Sequence, residues 1–237
     1  MVSAAEYLRR AAGVVGAVAE TQRAAIEQAG AAVADALAAG HRLWAFGTGH
    51  SALVAEELYG RAGGLADVRA VLESSLMIGD GLDRSTALER LTGVAAALLA
   101  GRDLAAGDVV VIASNSGRNA VPVEFAEQCW DRGAVVVAVT SLAHSRSVTS
   151  RAPSGRRLFE VADIVIDNCG VPGDAVVPID GVPEAVGPTS TVAGTLIAQA
   201  IVVEACARLV AAGITPKVLR SANSDPPAPR AESPLTG

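Results

Sequence analysis

Twice in this chain a run of apolar residues of strand length gives way to a turn of glycine and small hydroxyl residues, and then to a helical pattern. The first turn is Gly47-Thr48-Gly49-His50-Ser51, after residues 41–46; the second is Ser114-Asn115-Ser116-Gly117-Arg118-Asn119, after residues 108–113. Strand, turn and helix repeating in that order predict a parallel sheet, because a parallel neighbour is reached only by a crossover. Turns at the carboxyl ends of such strands aim backbone N–H groups and hydroxyls outwards. There a helix N-terminus adds partial positive charge and favours an anion such as a phosphate monoester. The chain has one lysine, Lys217, so this cradle is expected to work without any.

The remaining pattern fits the same architecture. Residues 3–39 are rich in Ala, Val, Glu and Arg without proline and end at Gly40, which predicts one long or two short helices. Further strands are expected at 68–73, 135–139 and 164–167, and helices near 51–62, 84–100 and 120–132. Pro188-Thr189-Ser190-Thr191 offers hydroxyls for an N-cap, and the helix it opens is apolar nearly all round to Gly213, so it is expected to be buried in the core or at an interface. Two long connections are expected to be functional. One spans 141–157, with His144, Arg146, Arg151, Arg156 and Arg157; the other spans 168–187 and is rich in Pro, Gly and Asp. The division is a helical extension at 1–40, one α/β domain at 41–220, and a flexible tail at 221–237 that carries Asp225-Pro226-Pro227-Ala228-Pro229.

Composition narrows the function. With 237 residues and 51% hydrophobic content the chain can bury a large core, and a net charge of −6 argues against a nucleic-acid partner. No secretory leader and no stretch near 20 apolar residues is evident, so the expected location is cytoplasmic, with no membrane partner. Cys129, Cys169 and Cys206 are odd in number and widely spaced, which predicts reduced structural thiols. His41, His50 and His144 form no ligand pair, and neither a metal nor a cofactor is expected.

The two loops, Gly107-Asp108, Ala162-Asp163-Ile164-Val165 and Pro188-Thr189-Ser190-Thr191 together resemble the SIS (sugar isomerase) family over roughly residues 40 to 213. The resemblance implies an α/β fold of three layers, flavodoxin-like, around a parallel five-stranded sheet. It implies a phosphosugar as ligand and a homodimer or homotetramer as the assembly. Carried over to this sequence, Ser51, Ser114 and Ser116 become phosphate hydroxyls, and Gly47, Gly49 and Gly117 allow close backbone approach. Thr48, Asn115, Thr189 and Ser190 join them around the ligand. Arg118 and Asn119 depart from the commoner Asn-Ser ending: Asn119 is expected to cap the next helix and bond substrate, and Arg118 either supplies bidentate charge or stands in solvent.

The run from Asp67 to Ser74 is similar to a strand of glucosamine-6-phosphate synthase isomerase domains that ends in a catalytic Glu, which points to Glu73 as the base. Partly desolvated beside a sugar, it would have a raised pKa suited to removing a proton next to a carbonyl. Arg61 stands where phosphoheptose isomerases and N-acetylmuramic acid 6-phosphate etherases carry their catalytic Glu, so those two reactions are not expected. Glu57 matches a metal-site His of the former. His50 and His144 are the candidates for opening a pyranose ring or protonating a leaving group. The implied reaction is C2 proton abstraction from an aldose or (N-acetyl)amino-sugar 6-phosphate, in an isomerase or in a dehydratase or lyase. Two alternatives stay open. One is a non-catalytic sugar-phosphate sensor; the other is a NAD-binding Rossmann oxidoreductase, since Gly47-x-Gly49-x-x-Ala52 with Glu73 also fits a relaxed dinucleotide fingerprint.

Overall fold

The structure is a computed structural model and describes residues 3–225; of the expected tail, residues 226–237 lie outside the described residues. Five parallel strands, β1 (Leu43–Gly47), β2 (Val68–Val71), β3 (Val109–Ala113), β4 (Val135–Thr140) and β5 (Ile164–Asp167), form one sheet in the order β2-β1-β3-β4-β5. This is the flavodoxin-like order. The helices in chain order are α1 (Ala4–Thr21), α2 (Arg23–Ala38), α3 (Ala52–Leu58), α4 (Leu82–Glu89), α5 (Val94–Leu99), α6 (Ala120–Asp131), α7 (Leu142–Arg146), α8 (Leu158–Val161) and α9 (Ser190–Ala211).

Side chains alternate along each strand, so the sheet feeds two cores. Leu43, Ala45, Val109, Val111 and Val137 pack with α2, α3 and α9, whereas Trp44, Phe46, Val110, Ile112 and Val136 pack with α5, α6 and α8. Phe46 stacks on Phe125 with ring centroids 4.0 Å apart. The helices of the expected N-terminal extension are part of the first core, to which they contribute Val18, Ala29 and Val33.

Asp108 fixes the register of the two central strands. Its buried carboxylate accepts hydrogen bonds from Arg42 N at 2.9 Å, Trp44 Nε1 at 2.8 Å and Ala105 N at 3.1 Å. A buried carboxylate satisfied by three N–H donors is a strong anchor. With the amino ends pinned, Leu43 pairs with Val109, and four residues later Gly47 pairs with Ala113. The two serine loops therefore leave the sheet side by side.

Several boundaries differ from the sequence pattern. The helix expected over 51–62 stops at Leu58, because Tyr59 is extended and Gly60 has φ +71°. The one expected over 84–100 is two helices separated by Gly93, whose φ is +81° and whose N–H donates to Glu124. The 168–187 connection contains an antiparallel hairpin, β6 (Ala175–Val177) with β7 (Val186–Pro188). Contrary to the sequence expectation, α9 is long and apolar enough to cross a membrane; here it is the central helix of the first core, packed on α2 and α3.

Candidate functional site

In a sheet of this order the connections run opposite ways on the two sides of β1, and ligands bind beyond the carboxyl ends at that reversal. The reversal lies between β1 and β3, the strands that carry the two loops. Gly47 ends β1 under the carbonyl of Ser51: a Cβ on Gly47 would lie 2.3 Å from Ser51 O. Gly49 and Gly117 both adopt φ +56°, a region that glycine enters without the clash a Cβ brings. Ser51 and Ser116 are half-buried, and among the described residues their hydroxyls make no hydrogen bond.

Ser114 is buried, and its Oγ accepts from Gly117 N at 3.2 Å; its hydroxyl closes the turn. Thr48 is also buried. A small hollow between the loops is lined by His50, Ser51 and Val54 on one side and by Asn115, Asn168, Ser190 and Thr191 on the other. It measures about 10 Å³, room for one water, so a sugar phosphate needs the open rim above it.

Two expected caps are corrected by the geometry. Asn119 occupies the N-cap of α6 but makes no cap hydrogen bond, because its Oδ1 accepts from Arg151 Nη1 at 2.8 Å. Thr189 at the N-cap of α9 likewise makes none. Asp174 does that work from the hairpin: its carboxylate accepts from Thr189 N at 3.0 Å, Ser190 N at 2.8 Å and Ser190 Oγ at 2.5 Å. Among the described residues the buried Thr189 Oγ1 and Ser145 Oγ have no hydrogen-bond partner.

The candidate acid–base groups sit at the same edge of the sheet, at different depths. Glu73 follows β2 and is half-buried; its carboxylate accepts from Ser75 Oγ at 2.8 Å and caps a short 3₁₀ turn, Ser74–Leu76. It does not line the hollow. His50 does, and is exposed. His144, on α7, accepts from Gly173 N through Nδ1 at 3.2 Å, which leaves the proton on Nε2. Burial holds its pKa below the usual histidine value, against the pull of Asp174, and the Arg118 charge adds to the lowering. The imidazole is therefore neutral near pH 7.

Glu57 is held by Gln199 Nε2 at 3.0 Å and Arg61 Nε at 3.2 Å, so it faces α9 and not the loops. Arg118 is tied rather than free: Nε donates to Thr149 O at 2.8 Å and Nη2 to Thr149 Oγ1 at 3.3 Å. Among the described residues, no three His, Cys, Asp or Glu side chains come together to hold a metal.

The sequence reading placed Ser141, Arg151, Asn168 and Asp174 in the two long connections expected to be functional but gave none of them an individual role. Asn168 is buried, accepts from Gly170 N at 2.9 Å and donates to Asn115 Oδ1 at 2.9 Å. Ser141 Oγ donates to Gly170 O at 2.6 Å. The available signal was position: each lies just past a strand's carboxyl end or in one of the two long connections.

The hollow at the rim carries the side chains of Ser51, Asn115, Asn168, Ser190 and Thr191 and the imidazole of His50, a polar lining that suits an anionic ligand. A family model described as the SIS domain matches residues 6–141. A UPF0309 protein of Halalkalibacterium halodurans is 44% identical over 212 residues, covering 90% of this chain and 88% of the relative. One from Streptomyces griseus is 41% identical over 224 residues, covering 94% and 89%. Among solved structures, a phosphoheptose isomerase from Francisella tularensis aligns with a TM-score of 0.57 at 16% identity, covering 84% of this chain and 94% of that one. The phosphoheptose isomerase of Neisseria gonorrhoeae aligns with a TM-score of 0.53 at 18% identity, covering 83% and 93%. At such identities the structural likeness speaks for the fold alone.

Proposed function

The chain belongs to the SIS domain family, and from that premise we propose that it is a phosphosugar-binding enzyme acting on an aldose or (N-acetyl)amino-sugar 6-phosphate by C2 proton abstraction. The observation that carries this reading is the pairing of Gly47 with Ala113, which sets two hydroxyl-bearing loops at one rim of the sheet. Ser51, Ser116 and the loop N–H groups hold the phosphate. Glu73, released from Ser75 when substrate arrives, takes the C2 proton. Neutral His144 or exposed His50 exchanges a proton with the ring oxygen or a leaving group. Return of the proton at C1 makes an isomerase; loss of the C3 substituent makes a dehydratase or lyase.

The strand order speaks against the dinucleotide reading, because a Rossmann sheet places β2 between β1 and β3, whereas β1 here lies between β2 and β3. The sensor reading has one observation in its favour, the engagement of Glu73 by Ser75 instead of by the hollow. A homodimer or homotetramer is part of the proposal. An apolar helix is normally covered, yet α9 leaves Val192, Val203 and Val210 exposed, and a second copy would cover them. NMR of candidate hexosamine 6-phosphates in deuterated water tests the chemistry. Deuterium at C2 with the native chain and none with Glu73→Gln is the expected result; no exchange with any candidate favours the sensor.

A further inference from the structure

Among the described residues several arginines make no ion pair with a carboxylate, Arg90 and Arg146 as well as Arg118 and Arg151; what sets the last two apart is their place, Arg118 in the second serine loop and Arg151 tied to it. The connection after β4 is laced onto the second serine loop. Arg151 N donates to Arg118 O at 2.7 Å, Leu158 N to Gly117 O at 2.8 Å, and Thr140 Oγ1 to Asn115 O at 3.2 Å. Each loop anchors an arginine of the other by a neutral acceptor: Arg118 on Thr149, and Arg151 on Asn119 Oδ1. Among the described residues neither lies within 4.0 Å of a carboxylate, although the neighbouring Arg156 and Arg157 are paired with Glu127 and Glu160. Neutral anchors fix a guanidinium and leave its charge to act outwards.

We propose that Arg118 and Arg151 form a two-guanidinium clamp that completes the phosphate site, so that the site selects doubly charged phosphate esters over singly charged or neutral sugars. This rests on the phosphosugar reading above and adds Arg151 as a residue that determines specificity. A cradle of hydroxyls and N–H groups alone distinguishes the two ionisation states of a phosphate weakly. Two fixed cations favour the dianion, which forms as pH rises through about 6. The clamp also explains why α6 starts without a side-chain cap: Asn119 is used to aim Arg151, and the N–H groups of Ala120 and Val121, ahead of Pro122, stay available to the anion. Arg90 and Glu89 flank Arg151, and the Arg90 and Arg118 charges, after burial, hold its pKa below the usual arginine value. His144 faces Arg118.

Calorimetric titration with glucosamine 6-phosphate at pH 5.5 and pH 7.5 tests the clamp in the full chain, in Arg151→Gln and in Arg151→Lys. Native affinity is expected to rise between the two pH values. Arg151→Gln should lose about tenfold at pH 7.5 and show a flatter pH dependence, while Arg151→Lys should keep the slope with weaker binding. His144 titrates in all three proteins, so the difference between them isolates Arg151. Native-like affinity and slope in Arg151→Gln overturn the clamp alone. Failure of the native chain to bind either glucosamine 6-phosphate or inorganic phosphate overturns the clamp together with the phosphosugar reading.

Discussion

The Asn168 side-chain amide donates to Asn115 Oδ1 at 2.9 Å, so the turn after β5 holds the second serine loop across the end of β4. Replacing Asn168 with Ala leaves both Asn115 Oδ1 and Gly170 N without their partner at a buried position. The expected cost is about 1–3 kcal/mol, read as a lower urea midpoint with unchanged slope. An unchanged midpoint would mean that the pair is incidental.

Gly47 is the position where a single methyl group does most harm to the site. A Cβ there would lie 2.3 Å from Ser51 O and 2.6 Å from Ser51 C, both backbone atoms that no rotamer change can move. Gly47→Ala is expected to cost about 1–3 kcal/mol and to displace the first loop. Its thermal shift with glucosamine 6-phosphate should be lost while far-UV circular dichroism stays native.

Most of the sheet was legible, because parallel strands buried on both faces leave continuous apolar runs such as residues 135–139. The two loops were legible because glycine with small hydroxyls has few uses after a strand. The expected caps were not. Asn119 and Thr189 are good N-cap residues by type, but partners distant in sequence, Arg151 and Asp174, take over the hydrogen bonds, and no local pattern reports them. The full depth of the N-terminal helices in the core was equally hidden, since an Ala-rich surface suits a partner subunit as well as a sheet. Asn168 and Arg151 sit in connections without periodicity, where tertiary contact alone assigns a role.

Asp174 combines φ +70° with the capping of α9. Asp174→Ala removes the acceptor of three hydrogen bonds and leaves a Cβ residue in a left-handed conformation. A loss of about 1–2 kcal/mol is expected, seen as a fall of several degrees in Tm. Asp174→Asn, which tolerates that backbone and keeps one oxygen, should lose less. Equal losses would show that the backbone and not the cap dominates.

His144 predicts a pH signature. Its folded pKa lies below the 6.5 of a free histidine, so the unfolded chain binds the proton more readily. Its contribution to stability is complete above about pH 6.5 and is lost as pH falls through the lower folded value. His144→Gln should therefore flatten the fall in Tm between pH 7 and pH 5 relative to the native chain. A steeper fall in the variant would reverse the assigned direction.

The most direct test of the paired-loop site is the melting temperature with glucosamine 6-phosphate beside glucosamine, in the native chain and in Ser51→Ala/Ser116→Ala. At a ligand concentration a hundredfold above Kd, stabilisation of about 2.7 kcal/mol is expected. The account predicts a clear upward shift with the phosphorylated sugar only, sharply reduced in the double variant. Equal shifts from both sugars, or a full shift in the double variant, would contradict it.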